Sequence, residues 1–189
     1  MEAKNSLFIS VVKAGLIIGA VSIVVFIIEY IAGITPIGLV KPFIIMLIGL
    51  AITIAVLVVL FKQYRASIGG IISFRNAFLY CFIAMVTATV LSGIFTFLFI
   101  QFFDPEYIKN IMEKQKDFME NYLSGKMSDE QIAATLDKMD QKAASMTPIK
   151  QFTQSLIYGV ISGGIIAAIV GAIMKKKPEM FENTPEDTI

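Results

Sequence analysis

Four long apolar runs constrain this chain more than anything else in it. They cover about residues 7–31, 42–61, 76–103 and 151–174, and the last three carry no charged residue at all. The first is uncharged from Ala14 to Ile28, with Lys13 and Glu29 close enough to its ends to snorkel towards headgroups. A bilayer core is about 30 Å thick and an α-helix rises about 1.5 Å per residue, so roughly 20 mainly apolar residues cross it. Hydrocarbon offers no partner for peptide N–H and C=O groups, so each crossing must satisfy its own backbone as a helix. Composition agrees: 56% of the residues are hydrophobic and 16% charged, against about 25% charged in ordinary soluble domains. The expected fold class is therefore all-α, an integral membrane bundle of four transmembrane helices within one domain over residues 1–177.

A cleaved signal peptide is the rival reading of the first run, because Lys4 and Lys13 precede its apolar centre. No small-residue cleavage site follows, and the run is longer than a usual signal core, so a retained helix is expected. Orientation follows from the basic residues of the short loops. The connection Lys62–Arg75 holds Lys62 and both arginines of the chain, Arg65 and Arg75, and no acid, which marks it as cytoplasmic. Lys175, Lys176 and Lys177 after the fourth run fall on the same side, as does Lys4. The expectation is N-in and C-in, with Ile34–Val40 and Asp104–Lys150 outside.

The long outer segment is the one part with soluble character, with nine acids and seven lysines. Asp104 is placed to cap a helix opening at Pro105, after which Ile108, Ile111, Met112, Met119 and Tyr122 recur at helical spacing. Gly125 should end that helix. Ser128 with Gln131 reads as a capping box, opening a second helix with Ile132, Leu136, Met139 and Ala143 on one face. Residues 104–149 should thus form an extracytoplasmic amphipathic helical hairpin between helices 3 and 4, its stripes facing one another or the membrane surface. Thr147 and Pro148 should stop its second helix. Residues 178–189, with two prolines and four acids, are expected to be a disordered cytoplasmic tail.

Several chemistries find no support. The formal charge of +1 gives no field to draw nucleic acid. Histidine is absent, and the single cysteine, Cys81, allows neither an internal disulfide nor a multi-cysteine metal site. No nucleophile in a span has a base near it in sequence, and no phosphate-binding glycine loop is present. No cofactor, no metal and no catalytic residue is expected.

Three features remain as candidates. Gly15 and Gly19 form a G-x-x-x-G pair, and Ser155, Gly159, Gly163, Ala167 and Gly171 place a small residue at every fourth position of the last span. Such a ladder lets helices approach closely, either within the chain, which is the expectation, or between two copies along the fourth helix. Glu29 is the one acid inside a span. It lies near the outer end of its helix, at the level of Lys41, so an interfacial ion pair is favoured over a transport site. Hydroxyls at Thr53, Thr87, Thr89, Ser92 and Thr96 are too sparse to outline an aqueous path. Finally, Arg65, Gly69, Gly70, Ser73 and Phe74 lead through Arg75, Asn76 and Ala77 to Phe78. The glycine pair allows a sharp turn, Ser73 can cap the third helix, and Phe74 and Phe78 share a face.

In these last residues the chain resembles a bacterial group of four-helix membrane proteins, domain-of-unknown-function family 4199. The resemblance covers most of the chain. It rests on Arg65 before Gly69-Gly70, the Ser73-Phe74 and Ala77-Phe78 steps, the Asp104-Pro105 start, the Gly125, Met127, Ser128, Glu130, Ile132 break and the lysine-ended last helix. Asn76 departs from it, standing where a small residue or Gln is the pattern. The resemblance implies a bacterial cytoplasmic membrane location and brings no activity. The lipid bilayer is the one certain partner of such a chain, with a second copy or another membrane protein as the open choices. A non-enzymatic membrane or partner-binding module is the expected function, and a small transporter or channel is the alternative.

Overall fold

The structure, a computed structural model, describes residues 2–175, with side chains from residue 8 onward. The expected tail at 178–189 and two of the three terminal lysines lie outside the described residues. The described chain is all-helical: α1 (Glu2–Ile31), α2 (Lys41–Ser67), α3 (Phe74–Leu98), α4 (Tyr107–Leu123), α5 (Asp129–Ser145) and α6 (Pro148–Met174). Four helical stretches are long and apolar enough to cross a membrane, namely Phe8–Ile31, Lys41–Ser67, Phe74–Phe103 and Pro148–Met174.

The helices outrun the apolar runs that signal them. Helix α2 continues past Phe61 to Ser67 because Lys62, Gln63 and Arg65 are good helix formers whose heads reach a headgroup layer. Its end is set by Gly69 and Gly70, at φ +85° and +83°, a left-handed conformation that a side chain disfavours. The Gly70 N–H closes the turn on the Arg65 carbonyl at 2.9 Å. Ser73 then caps α3, accepting from the Asn76 N–H at 3.4 Å. Pro42 occupies the first turn of α2, and Thr147 and Pro148 open α6. The Ser128–Gln131 capping box forms in both directions.

Helix α3 is the axis of the bundle, packed between α1 and α6. Its buried residues are mostly small: Ala77, Cys81, Ala84, Ala88 and Gly93, with Tyr80 and Met85. The glycines of its neighbours meet it. A methyl carbon on Gly15 of α1 would stand 2.6 Å from the Ala84 carbonyl oxygen, and one on Gly19 would stand 2.9 Å from Leu91. On the other side, Gly159 faces Thr89, Gly163 faces Met85, and Gly171 abuts the backbone of Phe78. Lipid gives helices no hydrophobic reason to associate, so these close approaches supply dispersion and shape in its place.

Helix α2 stands apart. Only 6% of its most apolar stretch is buried, against 28% in each of the other three spans. It is pinned at one end: Leu57 and Phe61 are its buried residues, Tyr64 stacks on Tyr80 of α3 at 4.6 Å, and Phe61 meets the same ring edge-on at 5.2 Å. Its other half, from Pro42 to about Thr53, has no buried residue.

At the opposite end of the bundle, α3 finishes in a π-helical turn, Phe99–Phe103, closed by the Asp104 N–H on the Phe99 carbonyl at 3.0 Å. Asp104 was expected to cap the next helix. Instead α4 starts at Tyr107 without a side-chain cap, and the Asp104 carboxylate accepts from the Tyr30 hydroxyl at 3.1 Å, tying the end of α3 to α1. Helices α4 and α5 pack on each other. The Lys116 ammonium donates to the Asp140 carboxylate across them. That hydrogen bond, opposed by some desolvation and helped by the charges of Asp140, Glu120 and Asp137, raises the Lys116 pKa. A raised pKa means that the tie is fully present below the ordinary lysine range and is lost as pH climbs through the folded value. The pair is moored to the α1–α2 connection, where the Gly38 N–H donates to the Gln115 side-chain oxygen at 2.8 Å.

Candidate functional site

Besides a cavity of about 320 Å³ between α4 and α5, lined by Met112, Lys116, Met139 and Asp140, the geometry offers three concave places in the bundle, each built on the loose seating of α2 or on the end of the α3–α6 seam. The first is a cavity of about 240 Å³ where the free half of α2 splays from α1. Ser22, Phe26 and Glu29 of α1 face Ile45, Gly49 and Thr53 of α2 across it. Glu29 is thus set at an opening between helices. It does not pair with Lys41: among the described residues the ion pairs are Lys109–Glu113 and Lys116–Asp140. Ser22 spends its hydroxyl on its own helix, donating to the Ile18 carbonyl at 3.0 Å.

Beside this cavity lies a cluster of six aromatic rings, Phe26, Tyr30, Phe95, Phe99, Phe103 and Tyr107, mostly edge to face at 4.9–6.3 Å. Tyr107 belongs to α4, so the cluster joins the extramembrane pair to the bundle. Burial first, then the nearby Glu29 and Asp104 carboxylates and Tyr30, push the Tyr107 phenol up, and it stays protonated through the physiological range. The sequence carried a signal for this cluster in its density of Phe and Tyr at matched ends of two spans, an interfacial belt pattern.

The second place is a notch of about 160 Å³ between α3 and α6, where Thr89, Ser92 and Thr96 meet Gln151 and Ser155. Hydroxyls scattered along the sequence are here brought together by the close approach at Gly93, although Ser92 and Ser155 donate to their own helix backbones. The third is a groove of about 450 Å³ between α2 and α6, apolar along its length and ending at Lys62.

The Arg65–Phe74 segment is structural in its geometry. The Arg65 guanidinium donates to the Met174 carbonyl at 3.0 Å, satisfying the C-terminal end of α6 with a cation, as the helix dipole favours. Gly69 and Gly70 have open space where a side chain would go, so they are required by φ alone. Phe74 is half exposed and lies 6.2 Å from Phe78, ring to ring. Arg65→Met should lower stability by about 1–2 kcal/mol through the lost charge-assisted bond. Gly70→Ala should cost about 1 kcal/mol through strain at positive φ. Thermal unfolding in detergent reads both.

Gly159 and Gly163 lie in the α3–α6 seam, the packing within the chain that the ladder leads one to expect. A family model described as protein of unknown function (DUF4199) matches residues 13–176. The chain belongs to this family. The match takes in all three concave places, the Arg65–Met174 tie and both glycine seams, so the four-helix bundle built around α3 is the body of the DUF4199 match. No curated protein and no solved structure matches the chain.

Proposed function

We propose that this DUF4199 protein is a non-enzymatic module of a bacterial cytoplasmic membrane that works by binding a partner protein. The observation that supports this is the asymmetric seating of α2, held through Phe61, Tyr64 and Arg65 at one end and with no buried residue over its first half. A span left so exposed beside three tightly sutured ones offers apolar surface that the chain itself does not cover. The basic connection Lys62–Arg75 faces the cytoplasm in this reading, which sets the α4–α5 hairpin outside and gives N-in and C-in. With Cys81 replaced by alanine, Ser67→Cys should react with impermeant thiol reagents only from the cytoplasmic face and Ser145→Cys only from the outside; the reverse pattern removes the orientation.

Photo-crosslinking in cells from Leu47 on α2 and from Lys138 on α5 is expected to recover a protein neighbour. Recovery of none from either position, together with a strictly monomeric sample in several detergents, sinks the proposal. A second reading, a small transporter, draws on the cavity at Glu29 with its Ser22 and Thr53 hydroxyls. Flux across proteoliposomes that is lost in Glu29→Gln is its expected sign, and flux that survives the change removes that site.

A further inference from the structure

The groove between α2 and α6 combines an apolar length with a charged end. One wall is the row Leu50, Ile54 and Val58 of α2, and the other is the row Ile165, Ile169 and Ile173 of α6, each at four-residue spacing. Both rows are apolar throughout, and the isoleucines of α6 are more than half exposed. From Leu50 to Lys62 the groove runs for about 18 Å, close to the roughly 15 Å depth of one leaflet's hydrocarbon. Its volume of about 450 Å³ leaves room for a hydrocarbon chain lying along the two rows.

Charge fixes the rest of the occupant. Lys62 lines the end of the groove, Arg65 follows within one turn, and Lys175 stands immediately after Met174 at the end of α6. Neither α2, nor α6, nor the connection between Lys62 and Arg75 contains an Asp or Glu. Arg65 donates one arm to the Met174 carbonyl and so is held at this corner, drawing the two helix ends together around the mouth. An apolar slot one leaflet deep that opens, among the described residues, onto cations with no acid on either of its helices matches a lipid with an anionic head.

We infer that the α2–α6 groove is a binding site for an anionic glycerophospholipid, one acyl chain lying between the two helices and the phosphate meeting Lys62. The inference goes beyond partner binding, since its occupant is a lipid whose head is held at the Lys62 end of α2.

The test uses the full purified chain in a mild detergent, with native mass spectrometry counting bound lipid. Phosphatidylglycerol is compared with phosphatidylcholine of identical chains and with glycerol phosphate, which has the head alone. Phosphatidylglycerol should be retained at least fivefold more tightly than phosphatidylcholine, and glycerol phosphate should not be retained. Lys62→Gln should cut that preference about fivefold, the effect of one cation at a membrane surface. Ile169→Trp, a filled slot at an exposed position that the fold tolerates, should weaken retention of both lipids while leaving the melting temperature in place. Equal retention of the two lipids, an unchanged preference in Lys62→Gln, or undiminished lipid binding by Ile169→Trp each overturns the inference. So does retention of glycerol phosphate matching that of the whole lipid, which would assign the site to surface charge alone.

Discussion

Gly15→Leu is expected to cost about 3 kcal/mol or more of stability, one of the two largest effects predicted for a single change here. The reason is what a side chain would strike. A Cβ at residue 15 falls 2.5 Å from the Thr87 Cβ and 2.6 Å from the Ala84 carbonyl oxygen. The oxygen belongs to the α3 backbone, which cannot turn aside as the tip of a flexible side chain can, so α1 must back away from α3 along its length. Val11, Ala14 and Ile18, all nearly fully buried on the same face, lose their packing with it. Gly15→Ala should already destabilise by about 1–3 kcal/mol, because the clash begins at Cβ. Gly49→Ala is the control. It changes a glycine in a span with nothing within 4 Å of the added carbon, and its effect should stay within about 0.5 kcal/mol. Unfolding monitored in one detergent separates the three variants, and a Gly15→Leu protein that melts with the parent would disprove the seam.

The same contrast between Gly15 and Gly49 marks what could be read from the sequence. A mainly apolar run of about twenty residues determines a spanning helix by itself, because the solvent allows no other way to satisfy the backbone. All four spans were legible for that reason. Local chemistry was legible as well: the Ser128–Gln131 capping box, the Ser73 cap and the turn at Gly69–Gly70 depend on residues within a few positions of one another. Whatever required the azimuth of one helix about another was not. Glu29 and Lys41 fall at neighbouring helix ends in the sequence, yet no ion pair joins them among the described residues. Asp104 is well placed as a cap and is taken by Tyr30, 74 residues away. Arg65 finds the Met174 carbonyl across 109 residues, with no local pattern to announce it. One missed contact did have a signal. The Gly15–Gly19 pair on α1 needed a complementary small-residue face, and Ala84 and Ala88 supply it along α3, four apart, whereas the α6 ladder meets Phe78, Met85 and Thr89. Helix α2 carries no such face towards α3, which is why it is the helix left loose.

Gly171→Leu and Gly159→Leu probe the other seam and should each lose about 3 kcal/mol, for reasons that distinguish packing inside one chain from packing between two. A Cβ on Gly171 would lie 3.1 Å from the Phe78 nitrogen and 3.2 Å from its Cα, both backbone atoms. On Gly159 it would press into Thr89, a β-branched side chain held in few rotamers and unable to swing clear. If the α6 ladder joined two copies, these changes would dissociate a dimer and leave each monomer's unfolding intact. Because the ladder faces α3, the expected result is the reverse: the melting transition falls steeply while the oligomeric state of the folded fraction is unaltered. Gly164→Ala, one position off the ladder, meets only the Phe82 ring at 3.7 Å, ordinary contact, and should be tolerated. Gly15 and Gly171 press on α3 from opposite neighbours, α1 and α6, with no shared partner. Their alanine variants should therefore add nearly independently in a double mutant, within about 0.5 kcal/mol. A large positive coupling would mean that α3 relaxes as a whole towards whichever side is loosened, and that the two seams are one elastic unit rather than two separate sutures.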